Sequence, residues 1–285
     1  MAVDRQERRQ DRRDALGAGL AAPRTPRSRS AGRRAGAAII AGQVAVVLAI
    51  LGAVQYLVDS GTVQTVYLAS PLQIAEAFPD LVVEQNLFGN LLITLFEATA
   101  GVLLGLVAGV GTGIWMGLSA PVERFLNPFI GGLMAIPKVT IIPLLAIWMG
   151  IGIGHKVFIV FLFCYFLFVY NTIAGIKQVQ ESHLKVARSF GATRGQIVRK
   201  VVLPSASASI AAALRVEAGT GLVAALFAEI TASRAGLGSM LNEATTLYDT
   251  PSLFGLVISI TVFSVLIIAA VDLLEKKVLL RWKYS

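Results

Sequence analysis

The chain has one cysteine and two histidines in 285 residues, and only 15% of its residues are charged. Each shortage closes off a class of function. Cys164 cannot form an intramolecular disulfide, and it falls inside an apolar run where packing is the ordinary role of a cysteine. His155 and His183 are far apart, without cysteine or clustered carboxylates beside them, so no metal site is expected. A GxxxxGK[ST] phosphate loop is missing, as are a GxSxG turn and a carboxylate pair at helical spacing on a water-facing element. The chain is therefore expected to carry no catalytic residue and to bind no cofactor of its own.

What is abundant is apolar. Hydrophobic residues make up 55% and mean hydropathy is +0.72, well beyond a soluble domain of this length. A hydrocarbon layer about 30 Å thick takes roughly 20 apolar residues of helix. Six stretches meet that test: 35–58, 91–118, 125–151, 157–176, 208–230 and 253–274. They are continuous and rich in Ala, Leu and Gly, without the alternation of a barrel strand. The expected fold class is all-α, a polytopic membrane protein with six transmembrane helices. Residues 1–34 read as a basic disordered tail and 35–58 as the first span. Residues 59–89 form an extracytoplasmic segment, 90–275 a five-helix core carrying an inner loop at 179–208, and 276–285 a short tail.

Charge sets the expected orientation. The first 34 residues carry ten Arg and four acids, whereas 59–89 carry Asp59, Glu76, Asp80 and Glu84 with no Lys or Arg. Positive charge near span ends marks the cytoplasmic side, which places both termini and the 179–208 loop inside a bacterial inner membrane. The Arg-rich head reads as a solvated tail near anionic lipid. Asp4, Glu7, Asp11 and Asp14 count against a transit peptide, and the first apolar run is too long for a cleavable signal. A net charge of +8 is explained by the tail and inner loops, so nucleic-acid binding does not follow from it.

The loop is the most informative segment. Glu181 to Phe190 can form a short helix with Ser182 as N-cap and Leu184, Ala187 and Phe190 as an apolar docking face. Gly191 sits where a residue of positive φ would stop it. Thr193 and Gln196 have capping-box spacing, and Ile197, Val198, Val201 and Val202 give an apolar stripe before Pro204 ends the run. So short a helix is marginal alone in water and needs something to dock on. An ordinary inner loop lying on lipid headgroups is the alternative.

The run from Ala187 to Arg215 resembles the EAA loop of ABC-transporter permeases, with Ala187, Gly191, Ala192, Ile197, Leu203, Pro204 and Arg215 at matching positions. Ser70-Pro71 with Asn90 and Thr94, Ile136-Pro137-Lys138 with Pro143-Leu144, Gly150-Ile151-Gly152, and Glu229 with Gly236-Leu237-Gly238 resemble the nitrate/sulfonate/taurine branch of those importers. The resemblance runs from about Leu68 to the C-terminus. It implies a type I ABC importer permease (MetI-like) fold working as a homodimer. It also implies an ABC ATP-binding subunit, which would use ATP and Mg and receive the loop, and an external solute-binding protein. The departure is Lys185, where the family has an acid, with Val186 in place of the first Ala; Lys185 would then face an acidic or neutral rim on its ATPase.

Ionisable and helix-breaking residues inside apolar spans mark a candidate pathway. These are Pro137, Lys138 and Pro143 in the third span, Arg215 near the inner end of the fifth, and Glu229. Lys138 would guide an anion, pair with a carboxylate such as Glu229, or snorkel. Glu97 reads as a structural hydrogen-bond partner. Gly101, Gly105, Gly109 and Gly113 form a small-residue ridge for close packing that would also permit sliding. An ion-coupled secondary transporter or channel is the alternative function, although it gives no reason for the capped double helix of the loop.

Overall fold

The computed structural model describes residues 29–274, with side chains from 39 to 273. The expectations for most of the basic head and for the C-terminal tail lie outside the described residues. The chain divides into two units, 1–56 and 57–285. Helix α1 (Arg29–Asp59) accounts for the described part of the first and is apolar from Ile39 onward.

The second unit is built on three long helices. They are α3 (Leu87–Leu118), α6 (Ile153–Lys177) and α9 (Leu203–Ala232). At 1.5 Å rise per residue the 32 residues of α3 span about 48 Å, more than the hydrocarbon layer requires. Its first turn is fixed by Asn86, whose side chain accepts from the Gly89 amide at 3.2 Å. Helix α6 starts at Gly152, whose amide donates to His155 Nδ1 at 3.1 Å. Helix α2 (Pro71–Val83) opens on a reciprocal capping box between Ser70 and Gln73, with Pro71 in the first turn where its missing N–H costs nothing. Helices α10 (Leu237–Thr246) and α11 (Thr250–Leu274) close the unit.

Glycine spacing decides how α3 meets α6. A Cβ at Gly105 would lie 3.1 Å from Cys164 Cβ, one at Gly109 2.7 Å from Phe168 Cβ, and one at Gly113 2.6 Å from Thr172 Cβ; Gly101 and Gly117 face Val160 and Ile176 in the same way. The two four-residue rows interlock one to one, which sets the register of α3 on α6. Because numbering rises together in both rows, α3 and α6 are parallel. Helix α9 runs the other way, with Ala206 and Ser209 against Gly175, and Val160 and Val102 against Gly221. The core between them comprises Ala98, Val102, Val160, Cys164, Phe168, Ala213, Leu222, Ala224 and Ala225.

The third span departs from the single helix expected over 125–151. It is two helices, α4 (Ala120–Ala135) and α5 (Lys138–Met149), bent by 78° at Ile136 and Pro137. Proline forces the residue before it out of helical geometry, and Ile136 is extended at φ −67°, ψ 129°. Five described helices are long and apolar enough to cross a membrane, or six with the bent pair taken as one. Other spans begin earlier than their apolar runs, at Leu87, Ile153, Leu203 and Thr250; at two of them the polar residues that end a hydropathy window, His155 and Lys156, and Thr250 and Ser252, sit buried in the first helical turns.

Candidate functional site

The loop joining α6 to α9 folds into α7 (Glu181–Ser189), α8 (Arg194–Ile197) and a π-helical segment (Val198–Val202). Gly191 has φ +70° and stops α7, its amide donating to Arg188 O at 2.9 Å while Ala192 N donates to Ala187 O at 3.1 Å. Thr193 and Gln196 close a reciprocal capping box at 2.8 and 3.4 Å. Two expectations for this segment need correction. Ser182 does not cap α7: the N-cap is Gln180, and Ser182 lies inside the first turn. Pro204 does not end the helix, which continues from Arg194 to Ala232. The wider π turn, with Leu203 N bonded to Val198 O, accommodates a proline that lacks the usual donor and would clash in a tighter turn.

The expected docking face is also divided. Leu184 turns inward with Ile197 onto Ile176, Val202 and Ala206, and Ala187 is half-buried. Phe190 is 87% exposed, and the outward apolar residue one turn before it is Val186, at 56%. Val186 escaped notice because it was read as a departure from a motif, not by its i, i+4 spacing to Phe190. Lys185 points outward beside Glu181, Nζ to Oε2 3.4 Å. Ala192 and Pro204 are half-buried, and Thr193, Gln196 and Pro204 line an open cavity of about 750 Å³ with Gly195, Arg199 and Lys200.

At mid-height, Pro137 is exposed at the bend and Pro143 lies within α5. Lys138 does not pair with Glu229. Its Nζ donates to Met134 O at 3.3 Å and stands 5.9 and 5.3 Å from the ring centres of Phe163 and Phe166. Arg215, near the inner end of α9, pairs with α11: its Nε meets Asp272 Oδ1 at 2.5 Å.

Glu229 belongs to a buried cluster at the opposite end from α7. Its Oε1 accepts from Thr94 Oγ1 at 2.8 Å and its Oε2 from the Gly238 amide at 2.7 Å. Thr94 Oγ1 accepts from Leu237 N at 2.9 Å, and Asn90 Oδ1 from Gly236 N at 2.7 Å. One helical turn on, Glu97 forms an ion pair with Lys156, which also donates to Ser233 Oγ at 2.9 Å. Asn90, Thr94 and Glu97, three or four residues apart on one face of α3, thus clasp the turn between α9 and α10. Gly236, at φ +107°, has Glu229 where a side chain would go. Lys156 was missed because a charge at the edge of an apolar run is ordinarily assigned to the loop.

A broken span, three long packed helices and a capped double-helix loop between the last two of them are together a recognisable arrangement. The family described as "Binding-protein-dependent transport system inner membrane component" matches residues 101–281. The chain belongs to this family. The permease is 32% identical over 225 residues to a Bacillus subtilis protein named as aliphatic sulfonates transport permease SsuC, covering 79% of this chain and 81% of that one. It is 32% identical over 194 residues to the taurine transport permease TauC of Escherichia coli, covering 64% and 70%. A formylaminopyrimidine transport permease, ThiX, of Halalkalibacterium halodurans is 28% identical over 220 residues, covering 77% and 87%. Among solved structures, the methionine ABC transporter MetNI in an inward-facing conformation superposes on the permease with TM-score 0.60 at 19% identity, covering 67% of this chain and 95% of that one. That likeness shows a MetI-like permease fold.

Proposed function

We infer that this permease forms one half of a homodimeric pathway through which an ATP-driven importer moves a small anionic solute of the sulfonate or taurine class, delivered by an external binding protein. ATP and Mg are bound by a separate ATP-binding subunit, and the α7–α8 loop is the part of this chain that meets it. In this reading both termini and the loop are cytoplasmic, as the distribution of Lys and Arg requires.

The observation that carries the reading is the outward face of α7. Phe190 and Val186 form an exposed apolar pair on an otherwise polar, strongly basic loop, while Leu184 anchors the same helix to the core from the other side. A helix of nine residues held this way is a rigid post. Through the capped turn at Thr193 it continues into the 30 residues of α9, so a partner that grips Phe190 can tilt a transmembrane helix as a rigid body. Full burial of one phenylalanine contributes about 1.5–3 kcal/mol. Replacement Phe190→Ala should therefore weaken copurification of the ATP-binding subunit roughly tenfold or more.

Uptake of radiolabelled taurine and ethanesulfonate by cells co-expressing the permease with its ATP-binding and binding-protein partners tests the whole reading. ATP-dependent uptake in the parent should be lost in Gly191→Asp, because a side chain at φ +70° strains the stop that aims α7. ATP-dependent uptake that survives Gly191→Asp would remove the α7–α8 loop from the coupling path, and uptake driven by an ion gradient without ATP would indicate a secondary transporter.

A further inference from the structure

A charged cavity lies at the opposite end of the molecule from α7. Helix α2 packs on the start of α11: a Cβ at Gly255 would stand 2.8 Å from Leu81 Cδ1, and Leu81 and Leu256 are buried in one cluster. The chain before α2 is tied to the same place, because Thr250 Oγ1 donates to Val66 O at 2.7 Å. Between these walls is an open cavity of about 470 Å³, lined in part by Gln73, Glu76 and Asp80 of α2 and by Tyr248, Asp249 and Ser252 around the start of α11. Glu76 and Asp80 are one turn apart, a spacing at which like charges repel. Neither has an ion-pair partner among the described residues, and 59–89 contain no Lys or Arg to supply one. Asp249 Oδ1 accepts from the Ser252 amide at 3.2 Å, which leaves Oδ2. Ser252 is only 4% exposed, yet its hydroxyl has no hydrogen-bond partner among the described residues. A buried polar group left without a partner on a cavity wall points to a ligand that completes it. At the rim Tyr248 is 76% exposed and held at φ +55°, its amide donating to Thr245 O at 3.3 Å and its carbonyl accepting from Thr250 N at 3.0 Å.

Such a lining, rich in acceptors, suits a cation that carries several N–H donors. It is not arranged for a metal: among the described residues no three His, Cys, Asp or Glu converge closely enough to hold an ion. A guanidinium matches, since its planar donors pair two at a time with a carboxylate and its face stacks on an aromatic ring. We propose that this cavity is the docking point for an arginine side chain on the external binding protein, held by Glu76 and Asp80, with Ser252 accepting at the wall and Tyr248 stacking at the rim. The assignment rests on the importer reading, which puts 59–89 outside and requires such a partner. Charge supports it across the whole face, where the exposed ionisable residues of α2, α10 and the turns beside them are Glu76, Asp80, Glu84 and Glu243 against Arg234. A face of that sign steers a basic patch toward it and turns an acidic one away.

The test uses the permease assembled with its ATP-binding subunit in lipid nanodiscs, and measures the affinity of the purified binding protein for it. Glu76→Gln combined with Asp80→Asn should weaken binding about tenfold or more, and Tyr248→Ala about threefold. Glu84→Gln combined with Glu243→Gln removes two acids of the same face that do not line the cavity, and should change affinity by less than about twofold. The parent's affinity should fall as salt rises from about 0.1 to 1 M, and the Glu76→Gln, Asp80→Asn protein should lose most of that dependence, which a merely structural defect would not do. Replacing the exposed arginines of the binding protein one at a time with glutamine should find one whose loss equals that of the double variant and does not add to it.

Equal weakening by the two pairs of substitutions would make the effect one of overall charge and overturn the assignment. Unchanged affinity in the Glu76→Gln, Asp80→Asn protein overturns it as well, as does a loss that adds to every arginine replacement. If that protein does not accumulate, Glu76→Gln alone carries the prediction at about threefold. Binding to the parent reads the importer proposal by itself. A parent that binds no external protein overturns both readings, whereas a parent that binds while the cavity variants bind equally well overturns the cavity alone.

Discussion

Glu97 and Lys156 show what a single buried charge demands in this fold. Their side chains are 0% and 5% exposed, and each is compensated mainly by the other. Removing one partner leaves an uncompensated ion in an apolar core, which costs about 3–5 kcal/mol, whereas replacing both with apolar groups of similar size is close to neutral. Lys156→Met should therefore depress the thermal midpoint of the detergent-solubilised protein strongly, and Glu97→Leu combined with Lys156→Met should recover most of the loss. A double variant as unstable as the single one would mean that the bond to Ser233, not the ion pair, is what matters. On the loop, Lys185→Glu puts two acids one turn apart with Glu181 and reverses the sign offered to the ATP-binding subunit, so copurification should fall; an unchanged yield would remove Lys185 from that interface. The turn at Gly191 and the capping box at Thr193 were legible because each is a local device written in neighbouring residues. The Glu97–Lys156 pair and the clasp of Asn90, Thr94 and Glu229 were not, since each joins residues far apart in sequence and the register of α3 on α6 decides who meets whom.

At the scale of the helix, the interlocked rows of α3 and α6 set that register. Gly109 has Phe168 Cβ and Tyr165 O each 2.7 Å from where its own Cβ would stand, both rigid parts of the neighbouring helix. Gly109→Ala should thus destabilise by about 1–3 kcal/mol through forced separation of the two helices. Gly111, two positions on, has nothing within 4 Å of the same point, so Gly111→Ala should be neutral or slightly stabilising. Equal thermal midpoints for the two variants would show that α3 and α6 do not pack through this row. The four-residue spacing of the glycines was visible from the start, but the fixed register was not, because it depends on Val160, Cys164, Phe168, Thr172 and Ile176 repeating at the same interval on the partner. The π segment before Pro204 was likewise invisible. Proline in a helical pattern ordinarily signals an end, and only a rearranged turn lets the helix run on into the membrane.

For the whole molecule the bend bears on the six crossings expected from sequence, since a span broken by 78° can either cross or turn back. Packing decides between the two. Gly101 meets Val160 and Gly117 meets Ile176, so α3 and α6 are parallel and in contact, and the chain that leaves the end of α3 must regain the opposite end before α6 begins. The connection is α4 and α5, of 16 and 12 residues, with a combined contour of about 42 Å, enough to make that return even when bent. The broken pair is therefore a crossing, kinked where Lys138 sits. A side-specific label tests the count directly. With Cys164→Ala as background, Ser60→Cys follows one span and Ser189→Cys follows four if the broken pair crosses, or three if it is re-entrant. An impermeant maleimide applied to intact cells should label Ser60→Cys and spare Ser189→Cys until the membrane is opened. Labelling of both from outside would make α4 and α5 a re-entrant hairpin, incompatible with the parallel packing of α3 on α6, and would put the α7 loop on the wrong face to meet an ATP-binding subunit.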